Sequence, residues 1–155
     1  MKKGIDFIGV GVGAMIFNEH GEVFLSKRGE KVKNEKFFWE FPGGGVKFGE
    51  KLHDALKREF FEEYGIHILP IELLCVTDHI LKNEKQHWVS PTFVGIIKDG
   101  IPKIKEPEKC SEIGWFKLEN LPEPLMSVSL NNVSEYKRKY NYTPYNEIVK
   151  NKRND

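Results

Sequence analysis

Apolar residues recur along the chain in two rhythms, and the changes of rhythm outline its elements. Residues 5–17 are rich in Val, Ile and Phe with Gly interleaved, and the turn formers Asn18, Glu19, His20 and Gly21 follow. Residues 22–28 resume the pattern, which predicts a hairpin of two strands. Residues 29–36 are polar and charged, a loop long enough to close over a ligand. Residues 37–41, Phe-Phe-Trp-Glu-Phe, return to the interior, and Pro42-Gly43-Gly44-Gly45 imposes irregular backbone that a ligand can approach closely. A helical rhythm then sets in over residues 51–64, with Leu52, Ala55, Leu56 and Phe60 on one side and Gly65 as a left-handed stop. Strands are predicted at 71–80 and 87–97 around a polar turn at 82–86, with residues 66–68 leading in. Pro102 and Pro107 interrupt the pattern, 113–118 reads as a short strand, and 127–140 reads as a terminal helix with Leu130 and Val133 inward. Beyond Asn146 the polar tail is expected to fray. The strand, helix, strand order predicts an α/β/α sandwich with a mixed sheet, in one domain spanning residues 1–155.

Composition narrows the function classes. A chain of 155 residues buries about two thirds of its unfolded surface without staples. Lys and Arg total 24 against 23 Asp and Glu, a formal net charge of +1, so no global attraction draws the chain to nucleic acid or to an anionic membrane. Phosphate recognition, if present, is local. Cys75 and Cys110 match no disulfide framework and no zinc-ligand spacing, which fits a reducing cytoplasm. No stretch is long and apolar enough for a signal peptide or a membrane span, because Gly9, Gly11 and Gly13 interrupt the first apolar run.

The 51–64 helix carries the chemistry. At about 100° per residue, Glu62 and Glu63 fall on either side of Glu59, within the arc that holds Leu52, Ala55 and Leu56. Carboxylates placed in an apolar stripe pay for desolvation and repel one another, and a hard divalent cation among them removes both penalties. The competing reading is a solvated acidic face closed by Lys51 and Arg58. Gly43, Gly44 and Gly45 just before the helix offer side-chain-free backbone to a phosphate or a metal-bound ligand, or else form a plain turn.

At these residues the chain resembles the Nudix hydrolases. Gly44, five residues, Glu50, seven residues, then Arg58-Glu59-Phe60-Phe61-Glu62-Glu63-Tyr64-Gly65-Ile66 matches the Nudix box G-x5-E-x7-R-E-U-x-E-E-x-G-U, U being a bulky aliphatic. Every fixed position is met, at a chance probability on the order of 10⁻⁵ or less. Phe60 departs from the usual aliphatic at a packing position. The Gly-rich early strand, Pro42 and the late Gly114-Trp115-Phe116 segment are similar to MutT-type members.

The resemblance implies that Glu59, Glu62 and Glu63 bind catalytic Mg²⁺, or Mn²⁺ in its place, with the Gly44 carbonyl as a further ligand. It makes Glu59 and Glu63 catalytic and gives Arg58 the task of orienting the carboxylates. Glu50 is a peripheral ligand or a partner of Arg58, unless it is an ordinary first-turn acid favoured by the helix dipole. The family often draws its general base from a late loop; Glu106, Glu108 and Glu112 are the candidates, and Glu108, in the Pro-bounded bend, is favoured. For substrate contacts, Lys27 and Arg28 can reach distal phosphates, Gly43 and Gly44 lie beside them, and Phe38, Trp39, His87 and Trp88 are candidates to stack on a base. The implied reaction is attack of water on a nucleotide diphosphate linkage, in a MutT-like pyrophosphohydrolase that releases a nucleoside monophosphate and pyrophosphate. ADP-ribose or nucleoside-diphosphate-sugar cleavage is the alternative, although the Pro that marks that branch is missing near Leu81 and Lys82. A Nudix-fold binding module without catalysis is a third reading, against which the intact box glutamates stand. A small nucleotide is the expected partner, with no nucleic acid and no membrane, and a homodimer stays open.

Overall fold

Strand β1 (Gly9–Phe17) lies in the middle of a seven-stranded mixed sheet in the computed structural model, which describes residues 1–154. Its side chains alternate as a strand's must. Val12, Ala14 and Ile16 enter one core with helix α1 (Leu52–Tyr64), while Met15 and Phe17 enter a second core with α2 (Ser127–Tyr140) and α3 (Tyr145–Asn154). Helices therefore cover both faces, and the expected α/β/α sandwich with a mixed sheet is what the chain forms.

The neighbours of β1 differ from the predicted hairpin. β1 meets β2 (Val23–Arg28) only at the pair Phe17 and Val23, and instead runs parallel to β6 (Gln86–Asp99) from Gly9 to Phe17. The turn between β1 and β2 is nonetheless built as expected. The Asn18 carboxamide oxygen accepts the backbone N–H groups of His20 and Glu22, each at 3.0 Å. Residues 5–8 lie outside the strand, which starts at Gly9. β5 (His67–Leu81) is one continuous strand paired antiparallel with β6 and interrupted by register shifts, so the expected gap before Ile71 is a bulge and not a break. β3 (Trp39–Glu40) pairs with β2, and β7 (Cys110–Phe116) pairs with β2 on its other side. The order is β3-β2-β1-β6-β5.

The three glycines form a short strand, β4 (Gly43–Gly45), where irregular backbone was expected. It faces Gly11, Val12 and Gly13 of β1, and a Cβ at Gly43 would stand 1.9 Å from the Val12 carbonyl oxygen. Glycine is required because the two backbones touch.

Helix α1 buries Ala55, Leu56 and Phe60 and ends at Gly65 with φ 71°, as its sequence predicts, with Leu52 half-buried and Tyr64 buried in addition. Phe60 is fully buried against Phe24 and Tyr64, so the aromatic departure in the box is absorbed by an aromatic core. Two expectations at the C-terminal end fail. Leu130 is exposed, and Ser129, Asn132 and Tyr136 face inward with Val133. The tail is a helix: Tyr145, Ile148 and Val149 recur at helical spacing and pack into the second core.

Candidate active site

Arg58 organises the acidic side chains of the box. Its Nε and Nη2 donate to the two oxygens of Glu50 at 2.7 and 2.9 Å, its Nη1 donates to Glu59 at 2.8 Å and to Glu62 at 3.2 Å, and Nη2 also reaches the Gly45 carbonyl at 3.1 Å. The paired hydrogen bonds hold the Glu50 carboxyl down at about 2. Glu50 is thus the anchor of Arg58, which ties the segment before the helix to its second turn. Glu59 presses on the glycine strand: a Cβ at Gly44 would come within 2.3 Å of its carboxylate carbon.

The three helical glutamates do not share one environment. Glu62 lies at the solvent edge with its side chain 53% exposed, whereas that of Glu59 is 16% exposed. The wheel placed all of them in the apolar stripe, but the covered arc of α1 runs through Leu52, Ala55, Leu56, Phe60 and Tyr64 and leaves Glu62 outside it. Glu63 lines a small cavity with Glu40, Glu106, Tyr64 and Cys110. Burial, reinforced by the Glu59, Glu40 and Glu106 carboxylates, pushes the Glu63 carboxyl up to about 8. Among the described residues, no three His, Cys, Asp or Glu side chains are drawn into a closed ligand cluster. Glu59 and Glu62 are instead engaged by Arg58.

The late loop reaches this cavity through backbone bonds. The N–H groups of Lys103 and Lys105 donate to the Tyr64 and Glu63 carbonyls at 3.0 and 3.2 Å, capping the end of α1 and carrying Glu106 to the Glu63 side chain. Glu108 is exposed and lines neither this cavity nor the cleft beside it, and Glu112 stands opposite Lys27 on β7 and β2. Of the late-loop acids, the structure brings in Glu106 and leaves out Glu108.

The acidic cavity shares Arg28, Val32, Glu40, Gly43 and Lys109 with a cleft of about 450 Å³. Lys31, Lys33 and Asn34 of the polar loop line it, as do Trp88, Thr92, His79 and Asn132. Arg28 holds Glu40 at 3.0 Å and the Asn34 carbonyl at 3.0 Å, closing the base of that loop. Burial raises Glu40 against the pull of Arg28. Burial also lowers His79, whose buried Nε2 has no hydrogen-bond partner among the described residues.

Several candidate substrate contacts fall elsewhere. Trp39 is 6% exposed and packs edge-on against Phe116 in the second core, so its ring is not free to stack. Lys27 points away from Ser26 and Arg28 by strand alternation and sits 4.0 Å from Glu112. His87 faces a small pocket with Gly4 and Ile5, outside the cleft. Its neighbour Trp88 lines the cleft and lies over Gly9 and Gly11. A larger cavity of about 650 Å³ opens among Phe17, Ile97 and Val149 at the far ends of β1 and β6, and no box residue lines it.

Comparison with known proteins agrees with this geometry. Residues 8–136 match the family model of the NUDIX domain. The chain is 30% identical, over 83% of its length and 89% of the relative's, to an RNA pyrophosphohydrolase from Pelagibacter ubique, and 31% identical, over 71% and 75%, to one from a Wolbachia strain. The crystal structure of a MutT NUDIX hydrolase from Burkholderia pseudomallei superposes with a TM-score of 0.78 at 36% identity, covering 84% of this chain and 98% of that one. The NUDIX domain of Shewanella oneidensis NrtR, solved with ADP ribose, shares the fold at 20% identity and a TM-score of 0.70, over 90% of each chain. With the box in place on α1 and its glycine strand against Glu59, the chain belongs to the NUDIX family and is a Nudix hydrolase.

Proposed function

We propose that this hydrolase is a Mg²⁺-dependent pyrophosphohydrolase, with Mn²⁺ as a substitute, that converts a nucleoside triphosphate to a nucleoside monophosphate and pyrophosphate in the cytoplasm. The observation that carries this reading is the shared wall of Arg28, Glu40, Gly43 and Lys109, where a carboxylate-rich cavity opens into a cation-lined cleft. Carboxylates would suit a metal, and the cations beside them would suit the phosphates of a substrate.

Glu59, Glu62 and Glu63, with the Gly44 carbonyl, would hold the metal. Their hard oxygen donors fit Mg²⁺, and the negative charge that keeps a proton on Glu63 is the charge a divalent ion neutralises. When bound, the metal lowers the pKa of the attacking water and offsets charge on the phosphate oxygens. Arg58, anchored by Glu50, positions Glu59 and Glu62. Glu106 is assigned as general base in place of Glu108, its carboxylate taking the proton of the attacking water. Lys31, Lys33 and Lys109 face the phosphates, and Trp88, His79 and Asn132 enclose the nucleoside.

A second reading is favoured by the relatives named RNA pyrophosphohydrolase: the triphosphate is the 5′ end of an RNA. It would set aside the expectation of no nucleic-acid partner. A Mg²⁺ assay over nucleoside triphosphates, a 5′-triphosphorylated RNA, ADP-ribose and sugar nucleotides tests both. kcat/KM highest for free triphosphates supports the first reading, highest for RNA the second, and highest for ADP-ribose overturns both.

A further inference from the structure

Helix α1 covers only part of its side of the sheet, and the strand registers define what it leaves bare. Phe93 of β6 belongs to the core under α1 and stands opposite Leu73 of β5. Stepping two residues at a time along β6 keeps to the same face. Pro91, still buried, then stands opposite Val76, Val89 opposite Asp78 and beside Val10 of β1, and His87 opposite Ile80. Val10 is 38% exposed, Leu73 45%, Ile80 53% and Val76 55%. Ile8, just before the strand and lining a small pocket with Ile80 and His87, is 55% exposed. On the β1 margin, the Val46 N–H donates to the Val10 carbonyl at 3.0 Å, and the loop that follows holds Phe48 wholly in solvent at 109%.

These six side chains expose on the order of 600 Å², the upper end of the largest apolar patch on a monomer and most of the ~800 Å² per partner in a standard interface. Charges of opposite sign face each other across the patch: Asp78 lies on the β5 side, with Lys82 beyond Ile80 at its end, while Lys3, whose Nζ bonds the Val46 carbonyl at 3.0 Å, and Lys47 lie on the β1 side. A two-fold axis running along the strands between two facing sheets places the β1 margin of each copy over the β5 margin of the other. Each Phe48 then meets an apolar strand, and each Asp78 meets lysines.

We propose that this uncovered sheet face is the contact of a homodimer, in which Lys3, Lys47 and Phe48 of one copy lie over Val76, Asp78 and Ile80 of its partner. The patch is self-complementary, as a two-fold interface requires, and two sheets stacked this way pack about 10 Å apart. Phe48, five positions after the Gly43 that lines the cleft, is the aromatic anchor.

Sedimentation equilibrium of the full chain tests the proposal. The expected mass is twice the 18.0 kDa of one chain. Val76→Lys/Ile80→Lys is expected to raise the dimer dissociation constant by about 100-fold or more, with the circular dichroism of the wild type. Should that pair impair folding, Phe48→Glu, at a wholly exposed side chain, is expected to weaken the dimer by itself. Asp78→Lys should also weaken it, and adding Lys3→Glu and Lys47→Glu to the same chain should restore it. A wild-type monomer up to roughly 0.1 mM, or a dimer unaffected by Phe48→Glu and the Asp78 charge swap, overturns the proposal.

Discussion

Glu63 is electrostatically costly, because its carboxyl is buried near Glu59, Glu40 and Glu106 and is raised to about 8. Its folded pKa lies above the unfolded value of about 4.3, so the folded metal-free protein binds a proton more tightly than the unfolded chain does. The stability tied to that proton is complete below pH ~4 and is lost as pH rises through about 8. Urea unfolding of metal-free protein between pH 5 and 8 should therefore show falling stability, and Glu63→Gln should flatten the trend. A wild type that is flat over the same range would contradict the burial of this carboxyl. Metal must displace that proton, so calorimetric Mg²⁺ affinity should increase with pH over the same interval. Arg58 offers a second test at this scale. Arg58→Lys keeps the charge but loses the fork that grips Glu50 while reaching Glu59 and Glu62. A fall in kcat of about 10²-fold, with the circular dichroism spectrum retained, is expected, and an unchanged kcat would show that Arg58 does not position these carboxylates.

Among the elements, the loop between β6 and β7 places Glu106, the acid proposed as base, beside Glu63. Glu106→Gln should slow turnover by about 10²-fold to 10⁴-fold and recover partly at higher pH, as hydroxide replaces the assisted water. Glu108→Gln should stay near wild type, and the reverse pattern would return the role to Glu108. Choosing between these acids from sequence was beyond reach, because Glu106 is placed by Lys103 and Lys105 bonding to carbonyls about 40 residues earlier, at the end of α1. The helix itself was legible: its apolar spacing, its glutamates and the Gly65 stop are local features, and local features survive folding. Glu40 left no such trace, since its place beside Glu63 comes from sheet pairing. Short strands hide their facing in the same way. Two residues of β3 give no alternation to read, and Trp39 went to the core while Trp88 lines the cleft. Trp39→Ala should accordingly cost about 3–5 kcal/mol in urea unfolding, whereas Trp88→Ala should act mainly on KM. The third helix was readable and missed: Tyr145, Ile148 and Val149 stand at i, i+3 and i+4, masked by the surrounding polar residues.

Over the whole molecule, one sheet keeps two cores apart and spends its remaining surface on different tasks. The α1 face carries the box and, past the end of the helix, the bare strands assigned to a second copy. The α2 and α3 face closes the second core, and Ser129 and Asn132 of α2 reach the cleft. A net charge of +1 leaves little long-range pull on a polyanion, and the proposed phosphate recognition therefore falls to the cations of the cleft itself. Among the described residues no helix is long and apolar enough to cross a membrane. The central assignment is that the box glutamates bind metal to stabilise the transition state. It is tested most directly by steady-state hydrolysis of a nucleoside triphosphate with saturating Mg²⁺, comparing wild type with Glu59→Gln and Glu63→Gln. Each variant should lose about 10²-fold to 10³-fold in kcat with KM within a small factor. Hydrolysis by both variants as fast as wild type would contradict it.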